Sequence, residues 1–181
     1  MKQIFLCVLG CALLLSCNNP KPADATTTPA AATETKAQPV EFADSKYADI
    51  GKRDLAALSS GDIDKWMDDL ADNAKYYWNG GDSLIGKAAI SAYWKKRRTE
   101  VIDSISYMND IWLPIKVNEP QQQVQAPGVW LLGWYQVHAK YKTGKHMSQW
   151  MHSDYHFDAN DKIDQIIQYV DRAPINAAIA K

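Results

Sequence analysis

Apolar residues in the first part of the folded region recur at the spacing of helices. One side of a first helix, between residues 44 and 60, carries four of them: Tyr47, Ile50, Leu55 and Leu58. Gly61 predicts the end of that helix, and Asp62 predicts the N-cap of a second one. The second helix has the clearest helical spacing in the chain and is expected to end near residues 72–73; its apolar residues are Ile63, Trp66, Met67 and Leu70.

A third helix is predicted to follow a short strand and a turn. The strand covers residues 75–78, and two glycines mark the turn at residues 79–82. The helix begins after Gly86, and its last turn holds four basic residues, where positive charge is favourable to the helix dipole. Its predicted core residues are Ile90, Tyr93 and Trp94.

Beyond residue 100 the apolar period changes to two, which is typical of strands. Residues of one parity predict a long strand over 101–117 with one buried face: Val101, Ile105, Tyr107, Ile111, Leu113, Ile115 and Val117. Strands over 129–142 and 145–157 flank Thr143-Gly144, which is predicted to be a two-residue hairpin turn. A last strand covers 163–171. This order predicts an α+β fold, with helices on one face of a curved sheet.

The composition restricts the class of protein. A chain of 181 residues is expected to form one domain with appendages. Its 20 Lys and Arg face 21 Asp and Glu, or 19 against 21 once Lys2 is removed with a leader. This balance gives no electrostatic basis for binding nucleic acid. Hydrophobic residues make up 46% and charged residues 23%, so a packed core is expected.

The first residues resemble a bacterial lipoprotein signal. Residues 4–15 are uncharged but too few to span a bilayer, and they end in Leu14-Leu15-Ser16-Cys17, which resembles a lipobox. We expect removal of the leader and acylation of Cys17, which would anchor the protein in the cell envelope, on the outer membrane facing the periplasm. The other two cysteines lie in the leader, so the mature domain would have no disulfide, thiolate metal site or cysteine nucleophile.

These features predict four regions along the chain. A signal peptide covers residues 1–16, the lipidated cysteine and a tether cover 17–41, the folded domain covers 42–175 and a tail covers 176–181. The tether is rich in Pro, Ala and Thr and has no aromatic residue before position 41. Such a segment cannot bury enough apolar surface to offset its ordering entropy, so it is expected to be disordered.

Several short strings stand out in the folded region, among them Ser60-Gly61-Asp62-Ile63, Gly86-Lys87-Ala88-Ala89-Ile90 and, near the end, Phe157-Asp158-Ala159-Asn160-Asp161-Lys162-Ile163. In this order they resemble the nuclear transport factor 2-like superfamily, and the last of them resembles its SnoaL-like branch. The resemblance covers residues 44–172 and implies a cone, in which a curved antiparallel or mixed sheet wraps round three N-terminal helices and leaves a pocket. The superfamily contains isomerases, dehydratases, epoxide hydrolases and members without known chemistry, so the fold alone does not define a reaction.

The predicted hairpin selects a pocket face. A two-residue turn would place His138 opposite Gln149 and Trp134 opposite Ser153, and the resemblance selects the same face, although a bulge would reverse part of it. Aromatic rings beside amide side chains suit a small organic ligand. The predicted ligand-binding residues are Trp78, Tyr93, Trp134, Gln136, Met151, Ser153, Tyr155 and Gln168.

The resemblance does not imply steroid-isomerase activity, because this chain lacks the catalytic base of those enzymes. The position of the catalytic base in those enzymes falls near Trp78, and an indole cannot accept a proton. The two oxyanion positions fall near Asp54 and Ser153. Asp82, four residues after Trp78, could reach back, but nothing in the spacing requires it.

A different acid–base pair is the basis of an alternative hypothesis. Asp54 lies on the flank of the core-facing stripe of the first helix, and His138 lies on the predicted pocket wall. A carboxylate beside an imidazole could move a proton, as a lyase, isomerase or hydrolase without a cofactor would require. The competing interpretation pairs Asp54 with a basic residue and leaves His138 half in solvent.

Three alternating residues, His152, Asp154 and His156, do not predict a metal site. The two histidines are about 13 Å apart along an extended strand, too far to bind one ion together. They are expected on a solvated or subunit-contacting outer face with Trp150. No metal or cofactor is predicted.

The sequence therefore predicts a lipid-anchored SnoaL-like domain that binds a small, partly apolar molecule without catalysis. The alternatives are an enzyme that uses Asp54 and His138, and an interaction module that forms a homodimer through the outer sheet face. If the side chains of Asp54 and His138 lie on opposite faces of the sheet, the enzyme hypothesis loses its acid–base pair.

Overall fold

The computed structural model describes residues 38–123 and 125–180. The predicted leader lies outside these residues, and so does the predicted tether, with Cys17, up to residue 37. Val40 and Glu41 were assigned to the tether but pair with Val117 and Lys116 in the sheet, so the fold begins before the predicted boundary at residue 42. The elements follow in the order β1 (Val40–Phe42), α1 (Lys46–Ser60), α2 (Ile63–Met67), β2 (Leu70–Trp78), β3 (Ser83–Ile85), α3 (Lys87–Glu100), β4 (Ile102–Val117), β5 (Gly128–Tyr141), β6 (His146–Phe157), β7 (Ile163–Tyr169) and α4 (Arg172–Ile179).

The described residues form an α+β domain around one mixed sheet. The strand order is β1-β4-β5-β6-β7-β2-β3, and all neighbouring strands are antiparallel except β2 and β7. Helix α1 packs on β4 and β5, α3 on β2 and β4, and α4 on β6. The α+β class is confirmed, whereas the cone shape and the grouping of three N-terminal helices stay predictions.

The boundary between α1 and α2 agrees with the sequence pattern, but the end of α2 does not. Gly61 has a φ of 81°, and the side chain of Asp62 accepts a hydrogen bond from the Lys65 amide at 3.0 Å. Helix α2 ends at Met67, and β2 begins at Leu70, which pairs with Ile163. The prediction of a helix up to residues 72–73 is therefore wrong. A buried leucine is equally compatible with the apolar side of a helix and with a buried strand. The pairing of Leu70 with β7 determines that this residue is part of a strand.

The hairpin between β5 and β6 has a three-residue loop. The Tyr141 amide donates to the Lys145 carbonyl at 2.9 Å, and Gly144 has a φ of 85°. This geometry is that of a three-residue loop with glycine in the left-handed region. The prediction of a two-residue turn at Thr143-Gly144 is therefore wrong by one residue. A shift of one residue moves one strand's side chains to the other face of the sheet.

The shift reverses the predicted orientation of three residues on β5. Trp134 pairs with His152, Gln136 with Trp150 and His138 with Ser148. Their neighbours along β5, Tyr135 and Val137, are buried in the core. Because side chains alternate along a strand, the predicted pocket residues Trp134, Gln136 and His138 lie on the outer face of the sheet.

Strand β4 changes face at a bulge. Asn109 has a φ of 55°, and the register with β5 shifts between Met108 and Ile111. Ile105 packs against the core before the bulge, but Ile111 is 57% exposed after it. The prediction of one buried face over residues 101–117 is therefore wrong, because the extra residue of a bulge reverses the alternation.

Helix α4 extends the fold beyond the predicted domain end at residue 175. Its N-cap, Asp171, accepts a hydrogen bond from the Ala173 amide at 2.8 Å. The Thr143 hydroxyl group and the Lys145 amine donate to the last carbonyls of the chain end, Ala178 O at 2.6 Å and Ala180 O at 2.8 Å. The predicted tail thus contains half of a packed helix. Across residues 38–123 and 125–180, no helix is both long enough and apolar enough to cross a membrane.

Candidate ligand-binding site

A cavity of about 340 Å³, partly open to solvent, lies between α3, α4 and the inner face of the sheet. Pockets of 300 to about 1,000 Å³ are typical of small-molecule sites. Strands β5, β6 and β7 contribute Val137, Met151 and Gln168 to its surface, and α4 contributes Ile175. The cavity therefore lies between the C-terminal strands and helix α4 on one side and α3 on the other.

One wall of the cavity is aromatic. It is formed by Trp78 at the end of β2 and by Tyr93 and Trp94 on α3. The ring centroids of Trp78 and Tyr93 are 5.3 Å apart, and those of Tyr93 and Trp94 are 5.8 Å apart. Trp94 packs edge-on against Trp66 behind it, so the core holds the wall in place.

Gln168 presents a fixed hydrogen-bond donor to this cavity. Its side-chain oxygen accepts hydrogen bonds from the Trp78 indole at 3.0 Å and from the Tyr76 hydroxyl group at 2.8 Å. An indole N–H can only donate, so the atom that faces Trp78 must be the amide oxygen. The amide nitrogen, Nε2, therefore points the other way, where the Met151 sulfur lies 3.9 Å from it.

Arg97 brings a positive charge to the same cavity. Its guanidinium group lies 5.6 Å from the centroid of the Tyr93 ring. The electrostatic effect of Arg97 reaches Tyr107 and Tyr141, which also line the cavity. Burial raises the pKa of both tyrosines, so their hydroxyl groups keep their protons at neutral pH.

Helix α4 covers one side of the cavity. Arg172, Ile175, Asn176 and Ile179 line it at helical spacing. The Arg172 guanidinium group pairs with Asp82 in the turn after β2. Asp82, which could have replaced the missing base, is therefore held in an ion pair at the edge of the cavity.

The structure divides the eight predicted ligand-binding residues among three places. Trp78, Tyr93, Met151 and Gln168 line the cavity. Ser153 and Tyr155 face the same side of the sheet but are buried in the core, and Ser153 shares a hydrogen bond of 2.7 Å with Tyr135. Trp134 and Gln136 lie on the outer face, where Trp134 stacks on His152 and Gln136 accepts a hydrogen bond from Asn109.

The structure does not bring Asp54 and His138 together. Asp54 is 1% exposed on α1, whose neighbouring residues Leu55 and Leu58 belong to the core on the inner side of the sheet. His138 lies on the outer side and pairs with Ser148. Burial, and then repulsion by Asp69, raise the pKa of Asp54 well above its usual value. The predicted acid–base pair is therefore not formed.

The outer face carries the three residues that alternate along β6. His152 Nε2 lies 2.8 Å from Asp154 Oδ1, whereas His156 pairs with Asp164. Among the described residues, no three potential metal ligands lie together. Large apolar side chains on this face are exposed: Met108, Ile111, Trp150 and Tyr169. Dimerisation through the face stays a prediction.

Sequence reasoning missed two groups of lining residues. Arg97 continues the α3 stripe at the spacing of Ile90, Tyr93 and Trp94, but it was assigned to the basic last turn. Ile175 and its neighbours also have helical spacing, with Pro174 in the first turn, but no helix was predicted after residue 171. A proline fits there because amides of the first turn lack partners within a helix.

The fold is similar to that of solved nuclear transport factor 2-like proteins. A protein of unknown function from Burkholderia pseudomallei with this fold superposes with a TM-score of 0.61 at 13% identity, over 76% of this chain and 100% of that one. A candidate polyketide cyclase from Xanthomonas campestris has a TM-score of 0.59 at 15% identity, over 74% and 96%.

A third similar structure contains a small molecule. It is a hypothetical protein of ketosteroid isomerase-like fold from Catenulispora acidiphila in complex with trimethylamine, with a TM-score of 0.53 at 11% identity, over 72% of this chain and 91% of that one. No protein-family model matches the sequence, and no curated protein matches it significantly. These identities establish a shared fold and no shared activity.

Proposed function

We propose that the domain binds a small, partly apolar organic molecule in the interior cavity. The observation that carries the proposal is a cavity of about 340 Å³ with an aromatic wall and one amide donor, Gln168 Nε2, held in orientation by two hydrogen bonds. A mostly apolar surface with a few oriented polar groups is typical of small-molecule sites. The trimethylamine complex of the Catenulispora protein is consistent with such a use of the fold.

The residues that line the cavity support ligand binding without catalysis. Asp82 is the one carboxylate among the described residues that line the cavity, and it pairs with Arg172. Asp54 and His138 do not line the cavity. General acid–base catalysis requires a group within hydrogen-bond reach of the ligand, and neither residue meets this requirement.

Ile175→Trp is expected to prevent ligand binding. The larger side chain would occupy the cavity from α4, where Ile175 lines it. Isothermal titration of the full chain in detergent with 2-naphthoate and 2-naphthamide, with blank titrations for uptake by micelles, measures the effect. We expect at least one probe to bind the unmodified chain and Ile175→Trp to weaken it by about tenfold or more, or about 1.4 kcal/mol.

The matched control places the same side chain on the exposed side of the same helix. Ala177→Trp lies at a position that does not line the cavity and should leave affinity unchanged. If binding survives Ile175→Trp, or if neither probe binds and no small molecule copurifies with the chain, the cavity is not a ligand site.

We further propose that Cys17 carries lipid and anchors the domain in the cell envelope, on the outer membrane facing the periplasm. The string Leu14-Leu15-Ser16-Cys17 after an uncharged run supports this proposal.

Cys17→Ala is expected to move most of the protein from the membrane fraction to the soluble fraction, because this variant lacks the acyl chains. Two or more acyl chains hold a protein on a membrane far more firmly than one. Cys11→Ala is the matched control and should stay with the membrane. Equal distribution of both variants would contradict the proposal.

A further inference from the structure

The cavity contains a positive charge that no described carboxylate neutralises. Arg172 pairs with Asp82, and on α3 Lys95 pairs with Asp64 and Lys96 with Glu100. Arg97 lines the cavity but makes no hydrogen bond or ion pair with residues 38–123 or 125–180; its guanidinium group lies near the Tyr93 ring. A charged group that is partly withdrawn from water gains from a counterion, which here must come from outside the described domain.

Three further polar groups in the cavity have hydrogens to donate and no strong acceptor among the described residues. Gln168 Nε2 faces the Met151 sulfur, which is a weak acceptor. Within the part of the chain that the structure describes, the hydroxyl groups of Tyr107 and Tyr141 make no hydrogen bond, and burial raises the pKa of both. Both therefore remain protonated and able to donate. Together with Arg97, these donors lie in a cavity whose walls are largely apolar and aromatic, and whose other uncharged polar residues are Ser83 and Asn176.

We propose that the ligand is a small carboxylate with a flat or branched apolar body, bound through its carboxylate by Arg97. This inference rests on the proposed function, because it concerns the same cavity. A planar guanidinium group binds a carboxylate through two parallel hydrogen bonds, and such charge-assisted bonds are stronger than neutral ones. Gln168 Nε2 and the tyrosine hydroxyl groups provide further donors, and the Trp78–Tyr93 wall contacts the apolar body.

The positive charge of this cavity disfavours a cationic ligand. The trimethylamine bound by the Catenulispora protein is a base that becomes a cation on protonation. A cation would be repelled by Arg97, because the described residues provide no free carboxylate in the cavity to compensate. The ligand class therefore follows from the residues of this chain and is not transferred from a protein of the same fold.

Two probes of the same shape, one charged and one neutral, separate the contribution of charge to the binding affinity from the contribution of apolar burial. The full chain in detergent is titrated with 2-naphthoate and with its neutral amide, 2-naphthamide. We expect 2-naphthoate to bind about tenfold more tightly than 2-naphthamide. Arg97→Gln should weaken 2-naphthoate by about tenfold or more and change 2-naphthamide by less than about twofold, because only the charged probe loses an ion pair.

The controls remove the same charge elsewhere or keep it at the same place. Lys96→Gln removes one positive charge from α3 at a position outside the cavity and should leave both affinities unchanged. Arg97→Lys keeps the charge but loses the paired geometry and should give an intermediate affinity for 2-naphthoate. Retained binding of 2-naphthamide shows that Arg97→Gln still folds.

The outcomes distinguish this inference from the proposed function. Equal binding of the two probes, or an equal loss of both in Arg97→Gln, overturns the carboxylate inference and leaves small-molecule binding intact. A loss in Lys96→Gln as large as that in Arg97→Gln indicates a general charge effect and also overturns it. Absence of binding by either probe, with no copurifying molecule, overturns the proposed function itself.

Discussion

Gly133→Ala is expected to lower the free energy of unfolding by about 3 kcal/mol, at the upper end of the usual cost of overpacking. Trp112 lies against two glycines, Gly51 on α1 and Gly133 on β5. A Cβ atom added at Gly133 would lie 2.3 Å from the Trp112 ring, and one at Gly51 would lie 2.7 Å from it. Real contacts are not this close, so the indole must move and would displace Tyr135 or Tyr155, whose ring centroids lie 6.0 and 6.2 Å away.

Urea unfolding of the full chain in detergent, followed by tryptophan fluorescence, measures this effect. Gly80→Ala is the matched control, because its Cβ would make an ordinary contact of 3.4 Å with Arg172 at an exposed turn. We expect that control to stay within about 0.5 kcal/mol of the unmodified chain. A Gly133→Ala chain of unchanged stability would mean that Trp112 does not pack between the helix and the sheet.

Asp54→Asn is expected to stabilise the protein at neutral pH, and by more as the pH rises. Neither carboxyl oxygen of Asp54 makes a hydrogen bond of good geometry with the described residues. Burial disfavours the charged form of Asp54, and repulsion by the nearby Asp69 adds to this effect. Arg53, which binds Asp69 at 2.7 and 3.0 Å, offsets only part of it. Asparagine has nearly the shape of the protonated acid and never ionises, so the gain is expected to be on the order of 1–3 kcal/mol.

The direction of the pH dependence follows from the raised pKa of Asp54. An unfolded aspartate loses its proton near pH 4, whereas folded Asp54 keeps its proton to a higher pH because burial disfavours the charge. Between those two values the folded state holds more protons, so stability contributed by Asp54 falls as the pH rises. Below the unfolded value both states are protonated, and the difference between the native chain and Asp54→Asn should disappear.

Thermal unfolding of the two chains from pH 4.5 to 8 checks this prediction. Asp49→Asn makes the same change on the exposed side of the same helix and should show no growing advantage with pH. A constant difference between native and Asp54→Asn chains across this range would show that Asp54 has no raised pKa.

Local sequence patterns were sufficient to predict most of the helices and strands. The periods of apolar residues located α1, α3 and the long strands, and Gly61 and Asp62 marked the boundary between two helices correctly. These signals depend on neighbours within a few residues, so they can be recognised in the chain alone. The same reasoning failed at Leu70, where pairing with a strand more than ninety residues away decided the conformation.

The face of the sheet to which a side chain points was harder to predict than the place of each strand along the chain. One additional residue in the loop before Lys145 moved Trp134, Gln136 and His138 to the outer face, and the bulge at Asn109 did the same to Ile111. Strand periodicity is symmetrical with respect to the two faces, so an error of one residue reverses a whole set of side chains. Gln168 and Met151 do line the cavity, and their role in ligand binding stays a prediction.

The α+β class and the order of most helices and strands follow from residues adjacent along the chain, and so does the lipobox-like string that ends at Cys17. Contacts in the folded domain were needed to show which face of each strand points inward, that α4 covers the cavity, and that Arg97 lies there without a described counterion. These features arise where distant segments meet, and contacts between distant segments leave no periodic pattern in either one.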